Sequence, residues 1–312
     1  MPSSALTYVN TASAIVSTIL NSLLIYLVLT KSPKQLGAYK SLMVIISCFE
    51  ILYSIFEAFL EPIHFFHKST AVVLISASGK SVSRFWLIIL DSAYWGLFGA
   101  SLALFAVHFI YRYLVVSGNP LLRSFNSWKI AVWMLIPVLS GGIWVAVGFF
   151  LNAPTSKITE TARSGVMATF GMNIDDFVYL GFYLSELGIT SSFCMIIVFG
   201  WKCYTRITSL MKSSSTQSNR SLVLQPQLFY ALAIQTVIPI FLMHIPVAIF
   251  FVFIFLDVDL GALSGLVPMS ISLYPAVDPL PNFFIIKPYR DALFSRCRCT
   301  RRDRNATSLK TF

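Results

Sequence analysis

The residues of this chain best able to do chemistry sit where water does not reach. Glu50, Asp91, Glu186, Asp278 and His244 all fall inside long apolar runs, and so does Asn21. A carboxyl group in such surroundings keeps its proton, pairs with a neighbour, or meets a ligand. Two carboxyls side by side could do acid–base work, but Asp91 and Asp278 are expected at opposite depths and form no such pair. No HExxH or GxSxG stretch occurs, so the motifs of the common zinc and serine hydrolases are missing. A retinal Schiff base would need a lysine inside the last apolar run, which has none before Lys287. These residues therefore point to recognition rather than catalysis, with no cofactor and no metal expected.

The elements that must position them follow from composition. The chain is 56% hydrophobic and 12% charged over 312 residues, with a mean hydropathy of +0.75. A soluble domain of this size would need a polar surface that such a composition lacks. Seven apolar stretches are long enough to cross a hydrocarbon core of roughly 30 Å as helices. They run over about 8–30, 41–63, 85–110, 130–151, 177–201, 227–256 and 261–286, and none carries a Lys or Arg. Backbone groups in lipid must be satisfied within the segment, which favours helices over open strands. The expectation is an all-α membrane protein: one domain over 1–312, a seven-transmembrane helix bundle, with a tail at 287–312.

Charge sets the orientation. Lys31, Lys34, Lys40, Arg112, Arg123, Lys129, Lys202, Arg206, Lys212, Arg220 and eight basic tail residues fall on one side of the spans. Only Lys68, Lys80, Arg84, Lys157 and Arg163 fall on the other. By the positive-inside rule the N-terminus is outside and the tail cytoplasmic. The net charge of +10 mostly reflects this asymmetry and does not argue for nucleic acid. No basic stretch precedes the first apolar run, so the first span is expected to serve as its own insertion signal. The sequons at Asn219 and Asn305 fall on the cytoplasmic side and are discounted. Cys48 and Cys194 lie in spans, Cys203 at a cytoplasmic helix end, and Cys297 and Cys299 in the tail, so no extracellular disulfide is expected.

Two readings fit Arg112, at the cytoplasmic end of the third span in HFIYRY. It can anchor the helix by reaching the headgroups. Alternatively, Tyr111, Arg112 and Tyr113 match the place where rhodopsin-like receptors carry an acid-Arg-Tyr triplet that engages a G protein; here a tyrosine replaces the acid. Asn21, Glu50 and Asp278 match the polar centre of that class, with Glu50 in place of an Asp and Asn282 in place of a tyrosine. The alternative for these three is plain hydrogen bonding between helices. His244, just before the helix-kinking Pro246, is either a ligand contact or a satisfied interhelical bond.

Five stretches together resemble one family: LGAYKSLM (36–43), HFIYRY (108–113), LLRSFN (121–126), LQPQLFYALAIQTVIP (224–239) and LYPAVDPL (273–280). The chain is similar to the Str class of nematode seven-transmembrane chemoreceptors. The resemblance implies a G-protein-coupled odorant receptor of chemosensory neurons, in the plasma membrane and its sensory cilium, with a small molecule and a heterotrimeric G protein as partners. A membrane transporter or ligand-gated channel for a small solute is the competing class, but no inverted repeat or pair of broken half-helices supports it. A ligand site is expected between the outer halves of the third, fifth, sixth and seventh helices, at Asp91, Tyr94, Trp95, Tyr183, Glu186 and His244. After Lys287-Pro288 the spacing of Tyr289, Leu293, Phe294 and Cys297 suggests a short amphipathic helix on the inner membrane surface, the alternative being a disordered basic tail. Cys297 and Cys299, set among arginines, are candidates for palmitoylation there.

Overall fold

The computed structural model describes residues 4–32, 36–67, 70–116, 119–183, 234–235, 237–256, 258 and 265–294. Among them, four helices are long and apolar enough to cross a membrane: Thr7–Lys31, Tyr39–Leu60, Arg84–His108 and Ile130–Leu151. In full the first three elements of this kind are α1 (Ser4–Lys31), α2 (Tyr39–Leu60) and α3 (Arg84–Val116). The fourth, α4 (Ile130–Ala146), runs into a π-helical turn at Val147–Leu151. The greater part of the expected fifth span, from residue 184, and the first residues of the expected sixth and seventh lie outside the described residues.

Burial along α1 is inverted relative to a soluble helix. Asn10, Ser13, Ser17 and Asn21 are buried, whereas Tyr8, Ile15, Ile19 and Tyr26 are exposed. In lipid the apolar face needs no cover, and small or polar residues mark the helix–helix contact. α3 and α4 show the same logic at closer range. The Gly96 position lies against the Gly141 backbone, where an added Cβ would sit 3.0 Å from the carbonyl oxygen. Gly99 faces the Trp144 ring, and Ser140 Oγ donates to the Gly99 carbonyl at 3.0 Å.

The segments between α2 and α3 and after α4 depart from an all-α fold. Between α2 and α3 lie strands β1 (Ile63–His67) and β2 (Thr70–Ser76). The run from Phe177, expected to open the fifth helix, is instead strand β3 (Phe177–Tyr183). The three pair antiparallel in the order β1-β2-β3, with Ile63 opposite Leu74 and Val73 opposite Leu180. The second expected span also stops short of Ile63: α2 ends at Leu60, where Glu61 adopts a left-handed conformation (φ 50°) and Lys80 Nζ donates to the Leu60 carbonyl at 2.7 Å. FVYLGFY is apolar on both faces, so its pattern alone does not separate a buried strand from a helix. Two covered faces explain it. One side of the sheet packs Phe65, Val72, Leu74 and Phe177 against Ile158, Ala162 and Val166 of α5 (Ser156–Phe170), a helix between the expected fourth and fifth spans. The other side turns Ala71, Ile75 and Val178 to the bundle. Gly181 lets β3 close on β2, since a Cβ there would run into the Ala71 carbonyl and Val72.

No cysteine lies in this cap; apolar packing holds it, and charged side chains add contacts at its surface. Arg163 makes a two-pronged pair with Asp175, both bonds 3.0 Å. From the start of α3, Arg84 donates to the carbonyls of Asp175 and Phe177.

After a π-helical turn at Ile240–His244 come α6 (Ile245–Phe255), α7 (Leu266–Val277) and α8 (Leu280–Ile285). Residues 287–294 are again helical, with Tyr289, Ala292 and Leu293 packed on the inner core and Arg290 and Asp291 exposed. Tyr289 shares a 2.7 Å hydrogen bond with Ser32, and burial pushes its hydroxyl up to about 12, so it stays neutral. Cys297 and Cys299 lie outside the described residues.

The glycine contacts give a direct check. Gly99→Ala drives a methyl group into the Trp144 ring, whereas Gly142 has nothing within 4 Å of its added Cβ. In detergent, Gly99→Ala should lose about 1–3 kcal/mol of stability, and Gly142→Ala should be neutral or slightly stabilising. Equal thermal midpoints for the two variants would contradict the packing described.

Candidate functional site

Beneath the sheet lies a cavity of about 90 Å³, walled by Tyr94, Trp95 and Phe98 of α3, Trp144 of α4, Val247 and Phe250 of α6, and Val267 and Ile271 of α7. His64, Phe66, Ala71–Val73 and Phe182 form its roof. A single water needs on the order of 10–15 Å³ measured this way, so the space suits a small organic molecule. Its lining is almost wholly apolar, and two ring nitrogens in it, His64 Nδ1 and Trp95 Nε1, have no hydrogen-bond partner among the described residues.

Below the cavity the helices meet at buried polar side chains. Pro279 has no N–H, so the Pro275 carbonyl, four residues earlier, lacks its helical donor. Asn21 Nδ2 of α1 supplies one at 3.0 Å. Tyr274 donates to Glu50 at 3.4 Å, and Gln235 Nε2 donates to the Asp278 carboxylate at 3.2 Å. Glu50 stands close enough to Asp278 and Asn21 to interact with both, without a direct hydrogen bond to either. Asn21, Glu50 and Asp278 are each 1% exposed or less, so this contact ties α1, α2 and the end of α7 together away from solvent.

A line of rings joins the two sites. Phe98, on the cavity wall, lies 6.2 Å from His244; His244 lies 6.5 Å from Phe105, and Phe105 lies 5.9 Å from Tyr274. His244 Nδ1 donates to the Pro239 carbonyl at 2.9 Å, five residues back, as the π-helical turn permits.

Residues 6–294 match the family model described as the serpentine type 7TM GPCR chemoreceptor Str. The chain belongs to the Str family of chemoreceptors. It is 33% identical to the G-protein coupled receptor str-217 of Caenorhabditis elegans over 90% of this chain and 87% of that one. It is also 31% identical to the serpentine receptor class r-10 of Caenorhabditis briggsae, covering 93% of this chain and 90% of the relative. The family is one of seven-transmembrane membrane receptors from nematodes, not of enzymes.

Within this Str receptor the residues singled out from the sequence fall in different layers. Tyr94 and Trp95 line the cavity. Asp91 is fully buried one turn further out; the Trp95 indole and the Leu180 amide approach its carboxylate without reaching hydrogen-bond geometry. His244 sits beneath the cavity, behind Phe98. Tyr183 ends β3 opposite Thr70, and Glu186 lies outside the described residues. At the C-terminal end of α3, Tyr111 stacks on Tyr39 at 5.7 Å and meets Phe125 edge-on. Arg112 and Tyr113 follow it on the same helix.

Two features escaped the sequence reading. The roof residues lie between the expected second and third spans, where TAVVLIS is too short to cross a membrane, although its β-branched content is a strand signal. Glu57 is 1% exposed with neither carboxyl oxygen hydrogen-bonded among the described residues. It lies seven residues after Glu50, hence on nearly the same helix face, and that spacing was available to find it.

Burial in the roof lowers the His64 imidazole to about 4, so it is neutral at physiological pH. An unfolded histidine takes up its proton near 6.5. The unfolded chain therefore binds more protons between pH 4 and 6.5. The contribution of neutral His64 is whole above pH 6.5 and fades as pH falls toward 4. Relative to wild type, a His64→Phe variant should escape up to about 3 kcal/mol of acid destabilisation across that window. Parallel stability curves for the two proteins would show that the imidazole is not buried neutral.

Proposed function

We propose that this chain is a G-protein-coupled odorant receptor that binds a small, mainly apolar molecule in the cavity beneath the sheet and activates a heterotrimeric G protein at its cytoplasmic face. On this reading residues 1–312 form one domain with seven spans. The N-terminus is extracellular and a short amphipathic helix, palmitoylated at Cys297 and Cys299, follows the last span. The receptor resides in the plasma membrane of a sensory cilium. One observation carries the reading: an apolar, aromatic-walled cavity opens onto a ring chain that ends at the buried Tyr274–Glu50 contact. Apolar walls with few polar groups suit small ligands of this kind. A ligand pressing on Phe98 bears, through His244 and Phe105, on the contact that holds α1, α2 and α7. Tyr111, Arg112 and Tyr113 lie at the opposite end of α3, where a G protein would dock.

Cells expressing the receptor and challenged with an odorant panel should give calcium responses to particular compounds. Arg112→Ala should abolish those responses while delivery to the surface is retained. Ligand-driven currents or solute flux in the absence of any G protein would overturn the proposal. Equal loss of delivery and signalling, restored by Arg112→Lys, would reduce Arg112 to a membrane anchor.

A further inference from the structure

We infer that the cavity selects a small organic cation, a protonated amine or a quaternary ammonium, with Asp91 and Glu57 as the carboxylates that balance its charge. The inference rests on the cavity being the ligand site, as proposed above. Asp91 on α3 and Glu57 on α2 are 0% and 1% exposed, and neither carboxylate has a hydrogen-bond partner among the described residues. Neither lines the cavity itself: Asp91 lies one helical turn before Tyr94 and Trp95, two of its walls, on the same face of α3, and Glu57 lies one turn after Tyr53 on α2. On the Glu57 side the Tyr53 ring packs 5.8 Å from that of Tyr94.

An ionised carboxylate at this depth needs a positive partner. Among the described residues, three basic side chains on this side are engaged elsewhere: Lys80 with the Leu60 carbonyl, Arg84 with the carbonyls of Asp175 and Phe177, and Arg163 with Asp175. The sequence between Arg163 and Lys202 contains no Lys or Arg, nor does that between Arg220 and Lys287, so neither stretch can bring one in. The cavity meanwhile offers ring faces from Tyr94, Trp95, Phe98, Trp144 and Phe250. An aromatic cage attracts an organic cation through the ring quadrupoles. His64, neutral in the roof, does not repel one.

The test uses the full-length receptor, purified into lipid nanodiscs, and a panel of small amines each paired with its neutral isostere, such as choline with 3,3-dimethylbutanol. Binding is read by saturation-transfer NMR and titration. Amines are expected to bind and their isosteres to bind far more weakly. Asp91→Asn and Glu57→Gln should each weaken the amine by about thirtyfold or more. If either variant fails to fold, the wild-type comparison within each pair decides alone. Isosteres binding as tightly as amines would overturn the cation inference and leave the receptor reading standing. Unchanged amine affinity in folded Asp91→Asn and Glu57→Gln would overturn it too. Binding of neither member of any pair would count against the cavity as a ligand site, and so against both.

Discussion

A polar group inside a bilayer cannot turn to water, and most of this structure follows from where each such group finds a partner. The backbone meets the demand by coiling into helices. Where a proline breaks the pattern, a side chain from another helix intervenes: Pro279 withholds a donor, the Pro275 carbonyl is left without one, and Asn21 provides it. That bond fixes α1 against α7. Gln235 and Glu50 then gather around Asp278, so one missing N–H sits at the centre of a contact among helices far apart in sequence. Breaking one partner of such a buried set is far more damaging than an exposed pair would be.

The outer cap answers the same demand with different means. Strands spanning lipid would leave unpaired edges, but these lie outside the helices' apolar lengths and are covered on both faces, by α5 above and the bundle below. The free side of β3 is partly tied as well, since the Gly181 amide donates to the Asn152 carbonyl at 2.8 Å. Without a disulfide, the cap is held by packing and, among the described residues, by one exposed ion pair, which contributes little in water. Its hold on the cavity is therefore set chiefly by the apolar sandwich. The residues that close the cavity from above are the same ones that build the sheet, so the fold of the cap and the shape of the site cannot vary independently.

How far these arrangements could be read from the residues depended on the kind of signal. Long apolar runs without Lys or Arg identify α1 to α4 because nothing but lipid tolerates them. The buried positions of Asn21, Glu50 and Asp278 were legible because a polar residue in such a run is expensive and so conspicuous. β3 was not legible: FVYLGFY is apolar throughout and borders another apolar run, and only its partner strand in space distinguishes it from a helix. Glu57 was overlooked beside Glu50 although the two share a face. The ring chain from Phe98 to Tyr274 could not be read at all, since no local pattern says which of 27 phenylalanines will touch one histidine.

The account stands or falls on whether occupancy of the cavity beneath the sheet controls the cytoplasmic face. The most direct measurement is nucleotide exchange on a purified heterotrimeric G protein, with the receptor reconstituted in nanodiscs and no other cellular component. A ligand that activates the receptor should accelerate exchange on wild type. Ala71→Trp, which places an indole in the roof of the cavity, should abolish that response in protein that still folds. Undiminished ligand-driven exchange with the cavity filled would contradict the account.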